Sequence, residues 1–230
     1  MMITYRQLDV GGDTTNATSR VTNSVTTRPN ELCLAAVVTT HASAAPTPTI
    51  TNWTQVATVT FGASVRVTIL RFQSATVFTG TLTIDFGGVT ATGSLYQIVG
   101  FESALVDNAG NGAGAIGQAP TNTATAGTAL TISYGTAWKP GSAGYTAQGR
   151  NANAAMGPRT NWTEVSDAGY NAPTTRMETQ QWTRGDADTA AGTTDTTDTR
   201  GGVAVEILAS YPLIESRQAL QRRRLPLVVR

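Results

Sequence analysis

The sequence has few of the residues on which most catalytic and metal sites depend. Its 230 residues include one cysteine (Cys33), one histidine (His41) and one lysine (Lys139). One cysteine forms no internal disulfide, and with one histidine it cannot complete a zinc site of Cys and His ligands. Nucleophilic catalysis also needs a base beside the nucleophile, most often an imidazole. We therefore expect no cofactor, no structural metal and no enzymatic activity.

Charge and long apolar runs are also scarce. Charged residues make up 13% of the chain and the net charge is +1. The longest apolar run, Leu32 to Val38, is much shorter than the 18 or so residues of a membrane-spanning helix. Residues 1–10 lack the basic and apolar regions of an export signal. We expect a protein made in the cytoplasm that has no membrane partner.

Threonine and glycine are abundant, with 41 Thr and 23 Gly, a composition typical of β-structure with long loops. Nine short β-branched or aromatic runs predict strands: Glu31–Thr39, Trp53–Phe61, Val65–Gln73, Thr81–Phe86, Leu95–Phe101, Ala129–Tyr134, Asn161–Val165, Arg176–Thr183 and Val203–Leu208. The predicted fold is an all-β antiparallel sandwich of jelly-roll or Greek-key type over residues 21–209. Residues 1–20 are expected to form an extended N-terminal arm, and residues 210–230 a basic tail that is helical or extended.

The predicted connections include two long Gly-rich and Ala-rich segments, Asn108 to Gly117 and Gly185 to Gly202. We expect both to be exposed loops, because they contain little that could be buried. The first contains the spacing G-x-G-x-x-G (Gly112, Gly114, Gly117). Neither a strand before it nor a helix after it supports a dinucleotide site, so a loop is the better interpretation.

A six-residue motif occurs twice, as T-N-W-T-Q-V from Thr51 and T-N-W-T-E-V from Thr160. Each copy is followed by an arginine in a predicted strand, Arg71 and Arg176. The motif indicates either a duplicated half of the sandwich or a coincidence in a Thr-rich chain. In both cases we expect the two tryptophans to be core anchors.

One predicted strand carries a candidate ligand-binding face. Alternation places four side chains on the same side of the strand: Arg176, Glu178, Gln180 and Trp182. A carboxylate beside an aromatic ring could bind a sugar, with Glu164 or Asp167 as a second carboxylate, while the alternative is an ordinary solvated or subunit-facing surface. In the following segment Asp186, Asp188, Asp195 and Asp198 are oxygen ligands suited to calcium, or form a solvated acidic loop.

The C-terminal tail has a charge of its own, because residues 210–230 contain five Arg and one acidic residue. Three adjacent arginines could bind phosphate, but the absence of interleaved aromatics favours a protein partner over a nucleic acid. The candidate interface residues are Arg217, Arg222, Arg223, Arg224, Leu227, Val228, Val229 and Arg230.

Several segments together resemble the β-sandwich structural proteins of tailed bacteriophages: T-N-S-V-T-T-R-P-N-E-L-C-L-A-A-V-V, N-W-T-Q-V, R-V-T-I-L-R-F, T-L-T-I-D-F-G-G, Y-Q-I-V-G-F-E and V-A-V-E-I-L, spread over residues 20–209. The resemblance implies a virion component, such as a capsid decoration or cement protein, or else a tail or neck protein. It implies partners among the capsid or tail proteins and a homo-oligomer. A carbohydrate-binding or receptor-binding module is the alternative.

Overall fold

The computed structural model describes residues 3–62, 64–182, 190–194 and 197–210. In these ranges the chain forms seventeen strands and a single 3-10 turn at Ala113–Ala115. In chain order the strands are β1 (Thr4–Asp13), β2 (Ser19–Val21), β3 (Val25–Thr26), β4 (Leu32–Thr40), β5 (Thr49–Ile50), β6 (Thr54–Phe61), β7 (Val65–Gln73), β8 (Thr79–Gly80), β9 (Thr83–Asp85), β10 (Gly93–Glu102), β11 (Thr121–Ala124), β12 (Thr131–Ser133), β13 (Ala143–Arg150), β14 (Thr163–Asn171), β15 (Thr174–Trp182), β16 (Ala190–Gly192) and β17 (Arg200–Ile207).

Two five-stranded antiparallel sheets form the body of the molecule. Inner sheet 1 has the order β1-β10-β4-β7-β6, and inner sheet 2 has the order β11-β17-β13-β15-β14. Each sheet comes from one half of the chain, and their strands occupy equivalent places in the same order. The predicted all-β antiparallel sandwich is therefore confirmed.

The central core lies between the two inner sheets. Side chains from β4, β7 and β10 meet those from β13, β15 and β17, among them Leu34, Val67, Phe101, Tyr145 and Val205. The outer face of each inner sheet is also covered. Small sheets (β2-β9-β5 and β3-β8) pack on inner sheet 1 around Ile84 and Phe86, and β12-β16 packs on inner sheet 2. Strand β4 is buried along its whole length, as its continuous apolar run predicted.

The repeated motif occupies equivalent places in the two halves. Asn52 and Asn161 both have positive φ, 68° and 72°, and a β-bulge follows in each case, after Gln55 and after Glu164. Together with the shared strand order, this favours duplication over coincidence. The register pairs Arg66 with Thr60 and Arg176 with Gly169, so Arg66, and not Arg71 as predicted, corresponds to Arg176.

The two motif tryptophans lie outside the central core. Trp162 is buried with the aromatic rings on the outer face of inner sheet 2. Trp53 is half-buried on the outer face of inner sheet 1, where it stacks on Phe72 with ring centroids 5.5 Å apart. They anchor the outer layers and not the contact between the halves.

The N-terminal segment is part of the sandwich. Instead of leaving the body as an arm, Thr4–Asp13 forms β1 and pairs with β10 over its whole length. Its partner strand is buried on both sides and supplies backbone groups that β1 satisfies.

Within the described residues, no helix is long and apolar enough to cross a membrane.

The predicted exposed loop at Asn108 to Gly117 is partly buried. Ala115 is 0% exposed and belongs to the central core. The Asp107 carboxylate accepts hydrogen bonds from the backbone amides of Gly110 and Gly114, at 3.0 and 2.7 Å, and these bonds lower the pKa of Asp107. A carboxylate that binds backbone amides fixes the loop against the end of the sandwich.

Candidate functional site

Arg176, Glu178, Gln180 and Trp182 share the outer face of inner sheet 2, as the alternation predicted. The face is covered, however: Glu178 and Gln180 are 0% exposed and Trp182 is 5% exposed, while Arg176 is half-buried. The prediction of an exposed face is wrong because two segments, residues 151–160 and 190–194, lie over it. We call these segments the cover.

The cover is bonded to the sheet beneath it through Gln180. Its side-chain nitrogen donates to the Gly192 carbonyl at 3.1 Å, and its oxygen accepts from the Arg159 amide at 3.4 Å. Within the cover, the Thr194 amide donates to the Gly157 carbonyl at 3.3 Å. The two covering segments are thus bonded to each other and to β15.

An aromatic cluster fills one end of the same face. Tyr134 and Trp138 pack edge to face at 4.9 Å between ring centroids, and Trp138 packs on Trp162 at 6.3 Å. Trp162 in turn packs on Trp182 at 6.0 Å. A sugar-binding platform requires an exposed ring, and Trp138 and Trp182 are both buried.

Two carboxyl groups, Asp167 and Glu178, oppose each other directly across β14 and β15. Asp167 is bonded to the Arg176 guanidinium, which raises the pKa of Arg176. Burial, and then the charges of Asp167 and Glu164, raise the pKa of Glu178 to about 8. The sheet therefore brings Glu178 together with both carboxylates that sequence reasoning named as its partners.

Three arginines lie side by side at the other end of this face. Arg150 is paired in register with Arg176 on one side and with Arg200 on the other. The Arg150 guanidinium is buried, donates to the carbonyls of Ala154 and Ala155 at 3.1 and 3.0 Å, and forms an ion pair with Asp198. These bonds hold the first segment of the cover.

The predicted cation ligands do not form a described metal site. Asp198 is the ion-pair partner of Arg150, and Asp186, Asp188 and Asp195 lie outside the described residues. Over the part of the chain that the structure describes, no three His, Cys, Asp or Glu side chains are grouped so that they could hold a metal ion.

The single histidine takes part in a local turn beside an open pocket of about 600 Å³. His41 Nδ1 accepts hydrogen bonds from the backbone amides of Ser43 and Ala44 at 3.1 and 3.0 Å. The pocket is lined by neutral side chains in addition to His41, such as those of Asn16, Thr92 and Thr174. His41 therefore orders its own loop, and among the described lining residues it has no carboxylate partner.

The predicted interface residues cannot be placed, because Arg217, Arg222, Arg223, Arg224, Leu227, Val228, Val229 and Arg230 all lie outside the described residues. Sequence reasoning also missed Gln148 and Arg150, since no strand was predicted around them. The signal was present: Tyr145 and Ala147 alternate with Thr146, Gln148 and Arg150, which is the period-two pattern of a strand.

The fold and this face define an all-β antiparallel sandwich with duplicated inner sheets and a covered polar face. No protein-family model, curated protein or solved structure matches the chain.

Proposed function

We propose that this chain is a non-enzymatic structural component of a bacteriophage virion, a capsid decoration or cement protein that binds the shell and neighbouring copies of itself. The resemblance described above supports this assignment, and its segments include the buried strands β4, β10 and β17. A tail or neck protein is the alternative position on the particle.

The observation that carries the proposal is that each inner sheet ends in two edge strands. Strands β1, β6, β11 and β14 end the two inner sheets, so within the described residues each has a neighbouring inner-sheet strand on one side only. An edge strand offers unpaired N–H and C=O groups to a strand of another chain. Each half of the duplicated molecule contributes two such edges, a suitable arrangement for contacts in a repeating shell.

The described ionisable side chains support the same proposal, because several of them join segments that are distant in sequence. Glu31 accepts from Arg6 at 2.7 Å, across 25 positions of the chain. Glu206 accepts from the Lys139 amide at 2.7 Å and from Gln118 Nε2 at 2.9 Å. Such bonds stabilise the fold by joining distant segments of the chain.

The test is to ask where the protein is found in purified particles. Density-gradient fractions of the particles, probed with an antibody against this chain, should contain it, and immunogold labelling should lie over the capsid. Labelling at the neck or tail would support the alternative position. Absence of the chain from purified particles would contradict the proposal.

A charge-reversal variant tests the role expected for the tail. Replacing Arg222, Arg223 and Arg224 by Glu should weaken binding of the purified protein to particles that lack it, in a salt-dependent way. Lys139→Glu is the control for a charge reversal elsewhere on the molecule, because Lys139 is an exposed cation outside the tail. Equal binding by both variants would remove the tail from the interface.

A further inference from the structure

The carboxyl pair on the outer face of inner sheet 2 replaces a pair of hydroxyl groups in inner sheet 1. Asp167 and Glu178 occupy the places of Thr58 and Thr68, whose hydroxyls are hydrogen bonded at 2.8 Å. Two ionised carboxylates directly opposite each other in a sheet repel. A buried pair of this kind is stable when one member carries a proton.

The neighbouring groups indicate which member carries it. Asp167 has a cation, since Arg176 Nε donates to its Oδ1. In the part of the chain that the structure describes, no arginine or lysine is bonded to Glu178, whose Oε1 accepts from Gln180 Nε2 at 2.9 Å. Among the described residues Asp167 thus has a bonded cation and Glu178 has none, so we assign the proton of the pair to Glu178.

Two buried acceptor atoms lack a donor at the same place. Glu178 Oε2 and Gln148 Oε1 have no hydrogen-bond partner among the described residues, and the two residues are paired directly across β13 and β15. The nitrogen of Gln148 already donates to Thr146 Oγ1 at 3.0 Å, so its oxygen is the atom left to accept. One proton on Glu178 Oε2 satisfies both atoms.

We propose that Glu178 is a proton-operated latch: its protonated Oε2 donates to Gln148 Oε1 and keeps the cover closed over inner sheet 2, and its ionisation loosens the cover. The coupling passes through Gln180, whose nitrogen donates both to Glu178 Oε1 and to the Gly192 carbonyl of the cover. This inference does not depend on the proposed function.

The charged groups around Glu178 determine whether low or high pH closes the cover. Asp167 and Glu164 on β14 raise the pKa of Glu178 in addition to burial, and Arg176 on its own strand opposes them. Arg150 and Arg200 lie on the same face of β13 and β17, where Arg150 is paired with Asp198. The closed state binds the proton more tightly than an open state in which Glu178 is solvated, so acid favours closure.

Hydrogen exchange measures the opening of the cover directly. After correction for the intrinsic exchange rate, opening of residues 151–160 and 190–194 should increase by up to about tenfold per pH unit between about pH 5.5 and about pH 7.5. Glu178→Gln retains a donor for Gln148 Oε1 and has no titrating group, so its opening should be independent of pH. Glu164→Gln removes an exposed carboxylate nearby and should retain most of the slope.

The latch is refuted if the wild-type cover opens equally at all these pH values, or if Glu178→Gln shows the same slope as the wild type. Should the variant fail to fold, the wild type supplies a second measurement. With ¹³C-labelled glutamate, the NMR titration should show one carboxyl group that is still protonated near neutral pH. Ordinary titration of every glutamate would overturn the proposal.

Discussion

Replacing Tyr145 by phenylalanine tests a polar contact that joins the two halves of the chain across the central core. The Tyr145 hydroxyl donates to Gln97 Oε1 at 2.9 Å, and the Thr179 hydroxyl donates to the same oxygen. Gln97 belongs to inner sheet 1, whereas Tyr145 and Thr179 belong to inner sheet 2. All three residues are 0% exposed, so water cannot replace a lost bond without opening the core.

The expected cost of Tyr145→Phe is about 1 to 2 kcal/mol of unfolding free energy. A neutral hydrogen bond contributes about 1 kcal/mol net, and a buried acceptor left unsatisfied costs about 1 to 3 kcal/mol. The lower part of this range applies because Gln97 Oε1 retains the Thr179 hydroxyl. Urea unfolding followed by tryptophan fluorescence gives the value. Tyr5→Phe is the control, since the one hydrogen bond of the Tyr5 hydroxyl within the described residues is exposed and 3.4 Å long.

A double-mutant cycle with Gln97→Met shows whether the bond itself is responsible. Gln97→Met alone leaves the Tyr145 hydroxyl without its acceptor and should also destabilise the protein. The double variant removes both partners, so its loss should be smaller than the sum of the single losses by about 1 kcal/mol. Additive losses, or a Tyr145→Phe protein as stable as the wild type, would refute this account of the core.

Three further predictions concern the covered face of inner sheet 2. Burial raises the pKa of Glu178 from its ordinary value of 4.5 to about 8 in the folded protein. The unfolding free energy of the wild type, measured in urea, should therefore fall by up to about 1.4 kcal/mol per pH unit between these two values and stay constant at higher pH. Glu178→Gln should remove this slope, and an unchanged slope would contradict the shift. Gly144→Ala places a methyl group against the ring of Trp138, so it should lower the unfolding free energy by about 1 to 3 kcal/mol and alter the tryptophan emission spectrum. An unchanged emission spectrum would contradict this packing. Arg150→Met should lower the unfolding free energy by about 2 to 4 kcal/mol, because it leaves Asp198 and two carbonyls of the cover without the Arg150 donor. It should also speed proteolysis of residues 151–160, and equal proteolysis rates in the variant and the wild type would contradict this role of Arg150.

The central strands that sequence reasoning found are those in which burial and periodicity agree. Strand β7 matches its predicted bounds, Val65–Gln73, because apolar side chains occupy both of its faces. Strand β4 was predicted from one continuous apolar run, and its two faces meet the central core and the outer layer of inner sheet 1. In these central strands, the apolar composition of the segment correctly predicts that the strand is buried in the fold.

Strands β1 and β13 were missed for two different physical reasons. Strand β1 is an edge strand with a bulge at Leu8 and the pair Gly11-Gly12, so its pattern is interrupted. Strand β13 is central and buried, but its outward side chains are Thr146, Gln148 and Arg150. Polar residues at buried positions conceal a strand from any argument based on hydrophobicity, because their burial depends on partners distant in sequence.

The candidate face shows the same limit. Alternation correctly placed Arg176, Glu178, Gln180 and Trp182 on one side of a strand. It could not show that residues 151–160 and 190–194 lie over them. Whether a sheet face is exposed depends on which segments pack over it. The alternation of side chains along one strand contains no information about those segments.

The repeated sheet order gives one polypeptide two versions of each edge, β1 with β11 and β6 with β14. If the proposed strand addition takes place at one of these edges, an equivalent edge remains on the same molecule for a second neighbour. The outer layers differ in chemistry, apolar around Ile84 and Phe86 but polar around Glu178 and Arg150. The repeated sheet order thus gives a molecule whose two halves share one architecture and differ in the buried side chains of their outer layers.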